Sequence, residues 1–331
     1  EDLDVATMGI PYNPLKPPKQ DKGEGKPFYR LRNFINETAG SMVEFYKLGD
    51  QQKSDLIDAI ELACQDNGIQ IAANLAHHDN ISWPTMDEVG IHLKRANKTA
   101  YNRVRELFEL EIYRDDYRDV SIAELLEKNY IIGIYEGFSD ETRNTVALMT
   151  IYNIHKYLNS QPHRSGTKYA VVVDEAHRVI SSHAIASLAR ECRSYGVSLV
   201  LSSQNPDDFP LPVSSSLSTK IIHGNGTDTK NIKAIKGLLN LSASTDQTLA
   251  ELQKFEAYVA NAHYSAPLIM NTFTFPLTQI VFRIKKEPNG VTLEDLKNTE
   301  GLWPEMVEFL ASELCNRGLL KLESGLYYAL E

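Results

Sequence analysis

The sequence predicts an open α/β fold, a mostly parallel sheet with helices on both faces, followed by a small C-terminal unit. Three observations predict it. Two apolar runs, Ala170-Val171-Val172-Val173 and Val197-Ser198-Leu199-Val200-Leu201, read as strands buried on both faces, because only a strand covered on both sides dispenses with strict alternation. The segment between them carries Ile185, Leu188, Ala189 and Cys192 at the spacing of one helical face, and Gly196 stands where a C-terminal cap belongs. Helical and strand patterns alternate over much of the remaining chain, as expected when parallel strands are joined by crossover helices.

Taken in order, a short strand is expected at Val5–Ile10, then a loop rich in Pro and Lys up to Pro27. Helices follow over Phe28–Lys47 and Gln51–Asp66, the second with Leu56, Ile57, Ile60 and Ala63 on one face. Another helix starts at Trp83-Pro84-Thr85-Met86-Asp87-Glu88, Tyr130–Tyr135 is a buried strand, and Glu141–Leu158 is a long amphipathic helix. After a strand at Gln279–Lys285 the pattern resembles a winged helix. There Thr292 caps one helix, Leu302–Arg317 forms the next, and Ser324-Gly325 turns a hairpin between Leu319-Leu320 and Tyr327-Tyr328. That second helix carries Glu305, Glu308 and Glu313 against Arg317 alone, which favours docking or structure over contact with phosphates. The expected domains are therefore 1–285 and 286–331.

With 331 residues, 42% hydrophobic and 24% charged, the chain can bury a substantial core. A net charge of -10 argues against a protein that coats nucleic acid with its whole surface. Local basic clusters at Lys94, Arg95, Lys98, Arg103 and Arg105, and at Lys230, Lys233 and Lys236, read first as solvated helix faces. No apolar run approaches the ~20 residues of a membrane span, and the polar start is no signal peptide, so a cytoplasmic protein is expected. The three cysteines, Cys64, Cys192 and Cys315, are scattered, and the nine histidines, with His77-His78 adjacent, form no ligand pattern. No zinc site is implied.

The chemistry concentrates where the first apolar run meets Asp174-Glu175-Ala176-His177. An apolar strand ending in two carboxylates has the shape of a Walker B element, and open α/β sheets gather active groups at strand carboxyl ends. On that reading Asp174 holds Mg²⁺, directly or through its water, and Glu175 orients and activates the water that attacks a γ-phosphate. The plainer reading is a strand whose acidic residues cap the next helix. The second run ends in Gln204-Asn205-Pro206. In motor ATPases of the RecA type a residue there contacts the γ-phosphate, whereas the plainer reading of Gln204 is a strand-end amide satisfied by loop backbone. Arg190 and Arg193 lie on the helix between the strands. Arg190 is expected to point away from the sheet and Arg193 to sit at the edge of the apolar face, where a guanidinium suits either a neighbouring subunit's γ-phosphate or a salt bridge, for instance with Glu191.

The blocks AVVVDEAH, LARECRSYGVSLVLSSQNP and SSSLSTKII resemble the HerA/FtsK superfamily of ring-forming DNA-pumping ATPases, most closely its HerA-like branch. In the same order, Ile10-Pro11-Tyr12-Asn13-Pro14-Leu15 is similar to that family's Pro-x-Asn-Pro-Leu segment. Leu48-Gly49-Asp50-Gln51-Gln52 is similar to its Leu-Gly-x-x-Gln helix start, and Leu252–Pro267 to its late strand pair. The resemblance covers most of residues 8–275. It implies a RecA-like core, ATP and Mg²⁺ as ligands, DNA as partner, a homo-hexameric ring and, in some members, a nuclease or restriction subunit. One departure is large. The phosphate-cradling pattern G-x-x-x-x-G-K-[ST] is absent, since Lys22-Gly23-Glu24-Gly25-Lys26-Pro27 has the wrong spacing and a proline where Ser or Thr should hold Mg²⁺. In the family the P-loop lies upstream of the Asn-Pro-Leu segment, so this chain reads as the C-terminal portion of a longer motor, inactive by itself. Three functions compete: an ATP-driven DNA translocase or helicase of the HerA type, a superfamily 2 helicase, and a non-catalytic assembly or binding module derived from such an ATPase. The second is disfavoured because Ser202-Ser203-Gln204 stands where Ser-Ala-Thr belongs.

Overall fold

The computed structural model describes residues 2–18, 28–29, 31–71, 75–76, 81–135, 137–162, 166–224, 229–239, 241, 249, 252, 256–261, 267–271, 275–287, 289–298, 304–316 and 318–330. The loop candidate Lys22–Pro27, the pair His77-His78 and Arg317 lie outside the described residues. The chain packs as two compact units, Glu1–Leu217 and Ser218–Glu331.

In the first unit the chain opens with strand β1 (Asp2–Asp4) and one helical turn, α1 (Val5–Met8), where the sequence suggested a strand over 5–10. Local capping explains the difference. Asp4 accepts from the Ala6 amide at 3.1 Å and from the Thr7 hydroxyl at 2.6 Å, and Gly9, at φ 68°, returns its N–H to the Val5 carbonyl at 3.1 Å. Short polar side chains that bond neighbouring backbone in this way favour turns over strands. The segment that follows is stitched by one buried side chain. Asn13 donates its amide to the Pro84 and Arg118 carbonyls at 2.9 and 2.8 Å and accepts from the Leu15 N–H at 2.9 Å.

Strands β2 (Phe28–Tyr29) and β3 (Leu75–Ala76) pair antiparallel around helices α2 (Leu31–Tyr46) and α3 (Asp50–Asp66). Gln52 folds back to accept from the Gly49 N–H at 3.1 Å, which gives the Leu-Gly-x-x-Gln stretch its role as a helix start. Helix α4 (Met86–Ala96) begins at a capping box in which the Thr85 hydroxyl accepts from Glu88 N and the Glu88 carboxylate from Thr85 N. Helices α5 (Lys98–Val104), α6 (Glu106–Glu109) and α7 (Ile122–Leu125) complete the helical layer. Strand β4 (Ile131–Gly133) pairs parallel with β1, and α8 (Asp140–Asn159) then runs with most of its length buried.

Strands β5 (Tyr169–Val173) and β6 (Val197–Leu201) are parallel and in register from Tyr169↔Val197 to Val173↔Leu201, joined through α9 (His183–Glu191) and a 3₁₀ turn at Cys192–Tyr195. Gly196 closes the turn in the left-handed region, at φ 69°. Only one face of this pair is covered. Val171 packs in the main core, while the cross-strand partners Val172 and Val200 are 66% and 47% exposed. The two-sided burial expected from the apolar runs is therefore not what the described chain provides. The parallel pairs β1–β4 and β5–β6 are likewise separate rather than parts of one continuous sheet among the described residues. The first unit ends on a short helix, α10 (Leu211–Ser214).

In the second unit β7 (Thr219–His223), β8 (Glu256–Asn261) and β9 (Leu268–Asn271) form an antiparallel sheet, with α11 (Thr229–Leu239) contributing Ile235 and Leu239 to a small cluster with Leu249 and Tyr258. Residues 275–285 form a helix, Phe275–Lys285, and not the strand expected at 279–285. Its buried pair Ile280 and Ile284 stands four residues apart with Phe282 between them exposed, a pattern a helix gives and a strand does not, since a strand would turn all three to one face. They join Val291, Leu296, Val307, Leu310 and Leu314 in a separate cluster. Around it lie β10 (Val291–Thr292), helices Leu293–Lys297 and Pro304–Asn316, and the hairpin of β11 (Leu320–Glu323) and β12 (Leu326–Ala329). Thr292 caps the first of these helices, accepting from the Asp295 N–H at 3.1 Å. Ser324 and Gly325 turn the hairpin with φ of 51° and 79°, which suits the twist of paired strands.

Candidate active site

The ladder between β5 and β6 continues past both strand ends. Ser202 N donates to the Val173 carbonyl at 3.0 Å, and Ala176 N donates to the Ser202 carbonyl at 2.8 Å. These two bonds bring Asp174-Glu175 and Ser202-Ser203-Gln204 side by side, which the amino-acid order alone does not dictate. Two further anchors hold the flanking turns. Arg178, in the 3₁₀ turn Ala176–Arg178, donates to Asp140 at the start of α8 at 2.8 Å. Asp208 accepts from the Ser203 hydroxyl and from the Asn205 N–H.

Asp174 is exposed, and its Oδ1 accepts from the Ser202 hydroxyl and, at 3.0 Å, from the Glu175 N–H. The Ser202 bond first, and the Glu175 amide second, hold its carboxyl below the usual value, since both favour the charged form. Glu175 itself sits in the left-handed region, φ 49° and ψ 41°. Its two oxygens face different neighbours. Gln204 donates its side-chain amide to Oε1 at 3.0 Å, and His177 Nδ1 stands 3.4 Å from Oε2. Sequence reasoning selected Asp174, Glu175 and Gln204, but it passed over Ser202 and His177. The signal for Ser202 was available in its place two residues before Gln204 at the end of the neighbouring strand.

Arg190 and Arg193 are both exposed on the segment between the strands. Arg190 donates to the Ser187 hydroxyl at 3.3 Å, and neither arginine pairs with a described carboxylate. Glu191, the partner suggested for them, instead faces His155 Nε2 on α8 at 3.0 Å.

No group of three or more His, Cys, Asp or Glu side chains poised to cage a metal is found among the described residues. The donor set nevertheless fits Mg²⁺ carried in with a nucleotide, because that ion takes one or two carboxylates, keeps several waters and draws its remaining ligands from phosphates. Asp174, charged and solvent-facing, is such a carboxylate. Among the described residues, no helix is long and apolar enough to cross a membrane.

No protein-family model matches the chain, and no curated protein does. Solved structures do. The chain is similar to VirB4 of Thermoanaerobacter pseudethanolicus, with a TM-score of 0.57 and 21% identity over 83% of this chain and 76% of that one. It is similar to the plasmid coupling protein TrwB in complex with ADP and Mg²⁺, with a TM-score of 0.53 and 13% identity over 82% of this chain and 74% of that one. The complex of the same coupling protein with a non-hydrolysable GTP analogue gives 0.52 and 13% over the same shares. At these identities the likeness is one of fold, a mixed helix and strand architecture of the P-loop ATPase type.

Proposed function

We propose that this chain is part of an ATP-driven, ring-forming DNA translocase or helicase of the HerA type, with residues 1–285 as the ATPase unit and 286–331 as a winged-helix-like unit. The observation that carries the reading is the strand-end arrangement of Asp174, Glu175 and Gln204 on two parallel neighbours. Support comes from the fold shared with a coupling protein solved with ADP and Mg²⁺. On this reading Asp174 holds Mg²⁺, which when bound neutralises charge on the phosphate oxygens. Glu175 accepts a proton from a water whose oxygen bonds to the γ-phosphorus. The bond from that phosphorus to the β–γ bridging oxygen breaks, releasing ADP and inorganic phosphate. Arg190 or Arg193 serves a neighbouring subunit's site. DNA, a homo-hexamer, a nuclease or restriction subunit, and a cytoplasmic setting complete the proposal.

The test uses the full-length protein. Glu175→Gln keeps the size of the side chain and removes its basicity, so nucleotide binding should persist while hydrolysis falls by at least ~100-fold. Asp174→Ala should instead weaken Mg²⁺-nucleotide binding. An unchanged rate in Glu175→Gln would overturn the reading. The missing G-x-x-x-x-G-K-[ST] pattern favours a second reading, a non-catalytic assembly or binding module. Because the 331-residue chain has no such cradle, it should bind ATP weakly and not turn it over by itself.

A further inference from the structure

We infer that Gln204 and His177 form a clasp on Glu175, and that both are positioning residues acting through its carboxylate. The inference rests on the reading of Glu175 as the base. A carboxylate at the end of a side chain with three rotatable bonds points many ways unless something holds it, and a base works only within hydrogen-bond reach of the proton it takes. Here each oxygen has its own neighbour, Gln204 Nε2 at 3.0 Å from Oε1 and His177 Nδ1 at 3.4 Å from Oε2. A charged carboxylate can only accept, so Gln204 presents its NH₂ to Oε1 as the donor, while His177 Nδ1 stands at ion-pair distance from Oε2. Two oxygens offer about four lone-pair sites, so two contacts leave room for the attacking water.

Both arms of the clasp are fixed at their bases. The turn carrying His177 is tied to β6 through Ala176 N and the Ser202 carbonyl at 2.8 Å, and to α8 through Arg178 and Asp140 at 2.8 Å. The loop carrying Gln204 is tied by Asp208, which accepts from Ser203 and Asn205. Gln204 and His177 are exposed, so neither is needed to fill a core. A γ-phosphate sensor would work by touching nucleotide. In this arrangement the amide of Gln204 is spent on Glu175, and its effect on the reaction passes through the base.

The experiment has two arms. In the 331-residue chain, the side-chain amide of Gln204 is followed by ¹⁵N NMR. Its signal should shift toward that of a free glutamine amide in Glu175→Ala, and an identical signal in the two proteins would overturn the clasp. In the full-length protein, Gln204→Ala should lower kcat about tenfold with KM for ATP within about twofold, the loss expected for one charge-assisted bond. Gln204→Glu, which sets a like charge against Glu175, should lower it further. His177→Ala should lower kcat by several-fold, and His177→Asn should recover most of that loss, because the Asn amide nitrogen takes the place of Nδ1. A rise in KM with kcat retained would mean that Gln204 serves binding and would overturn the inference. The underlying reading fails separately: an unchanged rate in Glu175→Gln removes the base, whatever the clasp variants do.

Discussion

Ser202 contributes a hydroxyl to a neighbour twenty-eight positions away, and that contact favours the charged form of Asp174. Removing it has a definite sign. The folded carboxyl lies below its usual value because its charged form accepts the Ser202 and Glu175 donors. Ser202→Ala should therefore move the Asp174 titration upward, observed as a displaced midpoint in the ¹³C carboxylate signal, while a substitution at the exposed Ser198 should not. For stability, a depressed carboxyl favours the fold above its unfolded value of about 3.9 and loses that effect as pH falls through the folded value. Asp174, Glu175 and Gln204 were legible because each ends an apolar run, a feature of local order. Ser202 and His177 were less so, since a hydroxyl or imidazole gains meaning only from what the fold puts opposite it. Asn13 belongs with these: its motif was visible, but its three bonds reach to Leu15, Pro84 and Arg118.

Helix α8 shows the same dependence among elements. Its N-terminus is closed by Ser139 and, from α6, by Glu106, whose Oε2 accepts from the Ser139 N–H at 3.1 Å, the Ser139 hydroxyl at 2.7 Å and the Thr142 hydroxyl at 2.5 Å. Burial raises the Glu106 carboxyl, but the bonds from Thr142 and Ser139 outweigh it and the net direction is down. Glu106→Ala should cost about 1–2 kcal/mol, read from urea unfolding near neutral pH. Because the folded value is depressed, that difference is present above the unfolded value of about 4.3 and should shrink as pH falls below it. The helices over 31–46, 50–66 and 140–159 were legible from apolar spacing. Two misreadings have physical causes. Asp4 and Gly9 turn an apolar stretch into a capped helical turn, and residues 275–285 carry too few polar positions for period two to be told from period 3.6. The exposure of Val172 and Val200 was hidden for a related reason, because an apolar run states that a strand can be covered, not that a covering layer is present.

At the scale of the whole molecule, the proposed ring makes Arg190 and Arg193 testable. If one subunit completes its neighbour's site, inactive Arg193→Ala and inactive Glu175→Gln proteins mixed in one hexamer should partly restore DNA-stimulated hydrolysis, with Arg190→Ala as the matched comparison. A trans-acting arginine is worth on the order of 10³ in rate, so a few mixed interfaces should stand above background. No recovery in rings shown by mass to be mixed would return both arginines to surface charges. The global stability of the chain bears on the backbone of Glu175 in a different way. A residue with a Cβ at φ 49° holds the left-handed region at a cost of about 1–2 kcal/mol, which glycine escapes. Allowing for the greater freedom glycine loses on folding, Glu175→Gly should be more stable than Glu175→Ala by up to about 1 kcal/mol in urea unfolding. Selection for a sturdier protein and selection for a working carboxylate thus pull this position in opposite directions. If Glu175 is the base proposed above, a library screened for thermal resistance alone should accumulate glycine at 175 and lose ATP hydrolysis as it does so.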